Sequence, residues 1–535
     1  MMNPVAPPNE ELVYAPAVLI LSQDLYPRKL EIVREYIQNA SDAIDAFGAV
    51  ADIVKDTSES LIKISIQGKS LLIFDNGIGM DEEDVSKLRR IAYSEKKAGE
   101  EAGYKGIGKL AGIAVAEKLK ISSTSYGDPK LHHFEFRAKD MREEISKNKK
   151  QGVIERASDV IHRHTTLEST DIDRTAHFTM VELRGVSDSC PELLNPNKLK
   201  EYIGEIAPVD FSPDFKWGAR LSQHLRQNVP DYSPKTVYLT KQNGERVRVY
   251  KPYEDSMMIA EPEYIEVHDS ENLNNTLALC WYATKGQEVL GQIRPAGKIF
   301  SVDDDGDDPR TKKRFAGLAY KLFGFSVGDR SLPVRTLWGQ SAPRALWFTG
   351  EIHIIDKEVF PTTDRSDFIE SDARARLYKA GQRIPNKLNK LAQEISNNRN
   401  AYRDGEKFSE QLQDWNDRLK AGKIERAELR SIRDQLHKNL SVLKDRVDQC
   451  SDQDVKQYDK DIQKFAVNFQ KELEEAQQLK GDNGIADVAG ELEMTGKARK
   501  VFQIIMETLE NHFSNEPETY YDLLSKISTA LRKKY

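Results

Sequence analysis

The chain has 535 residues, 39% apolar and 31% charged, and a formal net charge of −7. That length exceeds a single hydrophobic core, since domains hold about 100–200 residues, and it predicts three or four units. The balance is that of a helix-rich globular protein; it excludes a disordered chain and a globally basic nucleic-acid coat, although a local basic patch would vanish in the sum.

Residues 1–29 are a Pro-rich arm with a short apolar run, Ala17–Leu21. Local packing is expected for it, a contact with a partner subunit being the alternative. From Leu30 to Phe47, two patterns overlie one helix. Leu30, Val33, Ile37, Ala40, Ile44 and Phe47 step by three and four, a core stripe. Glu35, Asn39 and Asp42 take the same steps about 200° away, which predicts a second, polar, aligned face. On an ordinary surface helix such a face is only solvated. Ile62, Ile64 and Ile66 alternate, Gln67-Gly68-Lys69 supplies a turn, and Leu71–Phe74 returns, so a hairpin delivers Asp75 at a strand end. Asp81 stands at an N-cap position before Val85, Leu88 and Ile91. Ala92–Ala102 has the small, charged composition of a lid, and Gly103-Tyr104-Lys105-Gly106-Ile107-Gly108-Lys109 opens a helix. Strands are expected at Lys118–Ser123 and Leu131–Ala138, a polar insertion over 141–174, and a last strand at His177–Leu183.

Three blocks in this order form a constellation: a helix with Glu35 and Asn39, a strand ending in Asp75-Asn76-Gly77-Ile78-Gly79-Met80, and the Gly-rich turn. Together they supply a base, a cation ligand, a base-edge acceptor and a phosphate cradle. The chain resembles the Bergerat-fold (GHKL) ATPases, which include gyrase B, the ninety-kilodalton heat-shock chaperone, histidine kinases, MutL and the MORC proteins. The wording is nearest the chaperone in Val33-Arg34-Glu35-Tyr36-Ile37-Gln38-Asn39-Ala40-Ser41-Asp42-Ala43. The resemblance covers about the first third of the chain, with a second patch over residues 350–368.

The resemblance implies an α+β fold whose first domain, residues 1–190, is a Bergerat-fold α/β sandwich that binds ATP with Mg²⁺. Glu35 would orient and deprotonate the attacking water, and Asn39 would give its amide oxygen to the metal. Asp75 would accept from the adenine amino group, with Gly77, Gly79 and Met80 beside the base and Thr179 in support. The family usually has Gly before this Thr, and this chain has Phe178. Gly103, Gly106 and Gly108 would turn N–H groups toward phosphate, flanked by Lys105 and Lys109, with Lys96 and Lys97 in the lid.

Short β-branched and aromatic segments from 195 to 370 predict a second, transducer-like α/β domain, among them Thr236–Leu239 and Val247–Tyr250. It ends in Gly350–Asp356 and then Phe360–Ser366, where the resemblance implies that Arg365 reaches the γ-phosphate; the alternative is a surface ion pair with Asp364 or Asp367. Asp303–Asp308 is acidic, but position 12 of a calcium-loop register is Lys312, so a solvated loop is expected. His162 and His164 lack further ligands nearby and read as surface residues.

Residues 371–480 are expected to be helical, with stripes such as Phe408, Leu412, Trp415 and Leu419, forming an antiparallel or coiled-coil arm or else a plain bundle. A linker near Gly481–Gly490 leads to a small helical unit over 485–535. Cys190, Cys280 and Cys450 stand far apart, which suggests neither zinc site nor disulfide framework. No apolar run of about 18 residues and no leader pattern is present, so neither a membrane span nor export is expected, and the cytoplasm fits.

The function these features imply is an ATP-driven conformational machine, a homodimer with chaperone-like action. The rivals are a MORC- or MutL-like ATP-gated nucleic-acid clamp, which could act in genome or antiviral defence, and a nucleotide-gated scaffold with little turnover. The presence of Glu35 speaks against the scaffold. The client is not legible.

Overall fold

A computed structural model describes residues 14–18, 28–54, 59–89, 108–241, 243–255, 261–284, 315–424, 426–450, 453–479, 496–513 and 517–532. The chain is α+β and divides into two compact units, Met1–Leu290 with Phe300–Asn389, and Gly291–Ile299 with Lys390–Tyr535.

The first unit is built on two sheets. Strands β1 (Leu61–Gln67), β2 (Ser70–Asp75), β3 (Lys118–Thr124), β4 (Lys130–Phe136), β5 (Thr165–Asp171), β6 (Phe178–Arg184), β7 (Thr236–Thr240) and β8 (Arg246–Val249) make an eight-stranded sheet in the order β5-β4-β3-β6-β2-β1-β7-β8. The β1–β2 hairpin forms as its alternating isoleucines predict, with Ile62, Ile64 and Ile66 all buried. Two features differ from the sequence reading. The region 141–174 contains β5, an edge strand whose residues are mostly exposed and which therefore lacks an apolar alternation. Strands β7 and β8, expected in the second domain, extend the first sheet instead, because β7 pairs parallel with β1, Leu61 opposite Thr236.

The second sheet has strands β9 (Glu263–His268), β10 (Thr276–Thr284), β11 (Gly317–Leu322), β12 (Phe325–Val327) and β13 (Phe348–Ile354), in the order β12-β11-β13-β10-β9. Every residue of β13 is buried. Glu351 on it is 2% exposed, and such a charge is tolerable only when paired. Lys251 meets it at 2.8 Å, His353 at 3.0 Å and the Trp281 indole N–H at 3.3 Å.

Helix α1 (Glu31–Val54) packs on the first sheet through the stripe the sequence predicts. Val33, Ile37, Ala40, Ile44 and Phe47 are all buried, and Leu30 packs against the same core. Further helices of this unit include α2 (Glu82–Lys87), α3 (Ala138–Lys150), α4 (Ala157–Arg163), α5 (Pro196–Ile206), α6 (Gly218–Asn228) and α7 (Asp372–Gly381). Asp81 caps α2 by accepting from the Asp84 N–H at 2.9 Å.

The long helix α8 (Arg383–Lys420) runs into the second unit, where it is joined by α9 (Arg426–Val447) and α10 (Gln453–Leu479). Arg446 meets Asp404 and Arg418 meets Glu428, so α8 and α9 are antiparallel. Tyr402 stacks on Tyr458 and Trp415 on Phe469, so α8 and α10 run together. The three helices share one hydrophobic core. Helices α11 (Gly496–His512) and α12 (Pro517–Arg532) follow.

Candidate active site

The site is built on α1. Its second face is neither core nor free surface, for Glu35, Asn39 and Asp42 are all half-buried. The Glu35 carboxylate lies against the start of the 3-10 turn Gly108–Ala114, so closely that a Cβ on Gly108 would stand 2.3 Å from its Oε2. The next residue, Tyr36, fixes that segment from the core side: its hydroxyl accepts from the Gly112 N–H at 2.7 Å. A side chain at Gly112 would strike Leu183 at 2.2 Å. A side chain at either glycine would therefore displace the Glu35 carboxylate or the Leu183 side chain from its place.

The second block closes on the same helix from the other direction. Ile78 N–H donates to the Ala43 carbonyl at 2.9 Å, and a Cβ on Gly77 would lie 2.6 Å from Ala43. Asp75, at the end of β2, is 5% exposed and accepts from the Gly77 N–H at 3.0 Å. Burial pushes its carboxyl up to about 7, that one hydrogen bond acting against the shift. Gly79 has φ +71°, and a Cβ there would overlap the Thr124 carbonyl at 1.9 Å.

Thr179 is placed by strand register. It stands directly opposite Asp75 on one side and Ser123 on the other, across three adjacent strands. The Ser123 hydroxyl lies 3.0 Å from Thr179 Oγ1, donates to the Phe178 carbonyl at 2.8 Å and accepts from the Met80 N–H at 2.9 Å. Ser123 thereby holds the Gly-Met turn to the strand that carries Thr179. Phe178, in place of the family's Gly, lies beside Phe74 with ring centroids 5.5 Å apart. His177 meets the Gly77 carbonyl through Nδ1 at 2.8 Å and stacks on Phe47 at 3.9 Å. Sequence reading missed Ser123 and His177; the signal available was only that His177 stands two residues before Thr179.

Gly103, Gly106, Lys105, Lys96 and Lys97 lie outside the described residues, as do the side chain of Lys109 and the acidic run Asp303–Asp308. His162 is exposed; His164, expected at the surface, is buried, its Nε2 2.6 Å from Glu144.

Arg365 is 6% exposed with φ +56°, so it is not a surface side chain. Its turn is held by its own polar groups. Thr362 Oγ1 donates to Asp364 at 2.7 Å, Arg365 N–H donates to the Thr362 carbonyl at 3.0 Å, and the Arg365 carbonyl accepts from Gly328 N–H at 2.7 Å. The neighbouring Asp364 carbonyl accepts from the Arg34 guanidinium at 2.9 Å. Thus the residue before Arg365 is bonded to the residue before Glu35. Burial raises the nearby Glu31 carboxyl above its ordinary value, while Arg34 and Arg28 counter the shift.

This combination of a helix-borne acid and amide, a buried strand-end carboxyl and glycine turns defines a class. Residues 30–179 match the family model described as Histidine kinase-, DNA gyrase B-, and HSP90-like ATPase. Over part of its length the chain is also similar to bacterial proteins named Chaperone protein HtpG. Identity is 34% over 121 residues with that of Borreliella burgdorferi (19% of this chain, 20% of the relative), and 34% over 134 residues with that of Sulfurovum sp. (22% of each). It is 28% over 135 residues with that of Rickettsia prowazekii (22% of each). The chain therefore spans about a fifth of the length of the curated relatives it matches. No helix among the described residues is long and apolar enough to cross a membrane.

Proposed function

We propose that this chain binds and hydrolyses ATP with Mg²⁺, and that hydrolysis drives lid closure and chaperone-like remodelling by a cytoplasmic homodimer. The observation that carries this reading is the convergence on α1: Glu35 against Gly108, and Ala43 against the Gly77 that is bonded to Asp75. Adenine is held by its amino group donating to Asp75, beside Gly77, Gly79, Met80 and Thr179. Gly103, Gly106, Gly108 and Lys109 hold the phosphates.

Glu35 orients a water at the γ-phosphorus and takes its proton as the new P–O bond forms and the β–γ bridging bond breaks, leaving ADP and inorganic phosphate. A half-buried carboxylate pressed on backbone has few rotamers left, and this restriction is what positions the water. Asn39 offers an uncharged oxygen one helical turn away, suited to a hard cation beside phosphates; the metal would neutralise charge on the β- and γ-phosphates. Arg365 adds positive charge to the γ-phosphate, and its buried turn, bonded to α1 through Arg34, supplies a route by which the second sheet senses the nucleotide.

The test is Glu35→Gln. Turnover is expected to fall about 100-fold or more with ATP affinity within a few-fold of wild type, and denatured polypeptide, rather than DNA, is expected to stimulate the wild-type rate. Hydrolysis at the wild-type rate by Glu35→Gln removes the proposed chemistry, and stimulation by DNA alone removes the chaperone-like role.

A further inference from the structure

The first sheet turns one face to the core, where Ile62, Ile64, Ile73, Val181, Val237 and Leu239 are all buried. Side chains alternate along a strand, so the residues between these point the other way. On that opposite face Lys63 and Arg246 are exposed, and Phe74, Phe178 and Tyr238 are half-buried. Register sets them in a row. Lys63 on β1 stands opposite Phe74 on β2 and opposite Tyr238 on β7, and Tyr238 stands opposite Arg248 on β8. Ring, cation, ring and cation therefore alternate across four adjacent strands. The Lys63 Nζ lies 5.2 Å from the centre of the Phe74 ring, and the Arg246 guanidinium 3.7 Å from that of Tyr238.

Cation–aromatic pairs across strands also stabilise ordinary sheets. Phe178 is what sets this face apart. Where the resemblance leads one to expect Gly, this chain places a second ring beside Phe74, with centroids 5.5 Å apart, at a position that buries it only in part. The charges are free to act. Neither Lys63 nor Arg246 has a carboxylate partner among the described residues, whereas Glu182 and Glu135 on the same face are engaged by Arg184 and Lys118. A net charge of −7 over the whole chain conceals this local patch. Tyr238 and Phe74 are two strands apart, about 10 Å, with a cation between them. That pattern matches the flat bases and regular phosphates of a nucleic-acid single strand, whose bases stack on rings or on a guanidinium plane while cations meet the backbone. A duplex keeps its bases stacked on one another, and an unfolded polypeptide carries no regular anion for the cations to meet.

We infer that this face of the first sheet binds single-stranded nucleic acid, with Phe74, Phe178 and Tyr238 stacking on bases and Lys63 and Arg246 meeting phosphates. The inference goes beyond the ATP chemistry proposed above and does not depend on it. The two sites share strands but lie on opposite faces, since Asp75 and Thr179 are the chain neighbours of Phe74 and Phe178.

The experiment is fluorescence anisotropy of labelled oligouridylate and oligothymidylate, each about ten nucleotides long, titrated with the full chain at several salt concentrations. Binding of either oligonucleotide is expected, with log affinity falling against log salt at a slope of about −1.4 for two phosphates. A duplex of the same length is expected to bind at least about tenfold more weakly. Phe178→Ser is expected to weaken single-strand binding about tenfold. Lys63→Glu with Arg246→Glu is expected to weaken it at least as much and to bring the salt slope close to zero. Lys149→Glu, an exposed site on α3, is expected to change nothing. Should Phe178→Ser fail to fold, the charge variant, at two exposed positions, still decides. No binding, equal binding of the duplex, binding indifferent to both variants, or capture of denatured polypeptide on this face in place of the oligonucleotides each overturns the inference. ATP affinity of the same samples without oligonucleotide reports separately on the nucleotide reading, so either can fail alone.

Discussion

Asp75→Asn separates the cost of burying a carboxyl from its use. Burial pushes this carboxyl up to about 7 from an ordinary 3.8. Below about pH 4 it is protonated in both folded and unfolded chains, and the position costs nothing. As pH rises toward 7 the unfolded chain gives up the proton while the folded one keeps it, so stability falls. Above about 7 the folded chain holds a buried carboxylate at full cost. A rise from 3.8 to about 7 corresponds to about 4 kcal/mol. Asparagine keeps an acceptor for the Gly77 N–H, which Asp75 binds at 3.0 Å, without the charge. Hydrogen exchange of the β2–β6 ladder amides, compared at matched pH, should show the variant no more protected than wild type near pH 4 and more protected by up to about 4 kcal/mol near pH 8. ATP binding should be lost at both, because the asparagine amide cannot satisfy the adenine amino group and the Gly77 N–H through the same oxygens. Equal protection at pH 8 would mean the carboxyl pays no burial cost, and the physical account of this strand end would be wrong.

Three further outcomes are expected. Gly79→Ala places a Cβ 1.9 Å from the Thr124 carbonyl at φ +71°, so nucleotide binding should disappear and thermal unfolding should shift by more than about 2 kcal/mol; a variant with normal binding would show that this turn is not where adenine sits. Arg34→Ala removes the bond to the Asp364 carbonyl, and single-turnover rates should drop about tenfold, the equivalent of about 1.4 kcal/mol, with ATP affinity retained; a change in affinity alone would make Arg34 a binding residue. Arg365→Ala should keep affinity and lose about 10³-fold in turnover, and Arg365→Gly should match it in rate yet be more stable by roughly 1 kcal/mol because of the positive φ. Unchanged turnover in both would remove Arg365 from the mechanism.

The sequence by itself determined the parts that depend on neighbours along the chain. Repeats of three and four residues wrote the α1 stripe and its second, polar face; alternation wrote the hairpin that ends at Asp75; Asp81 marked the start of α2. All of these are local, since a helix or a hairpin is specified by residues a few positions apart. Tertiary structure decided which distant surfaces meet. That β7 pairs with β1, that Ser123 and Asp75 flank Thr179, that His177 supports Gly77, and that Arg34 holds the carbonyl beside Arg365 all depend on contacts between residues far apart in the chain. Periodicity records that a side chain has a face to bury, and the partner for that face is chosen by the free energy of the whole assembled chain.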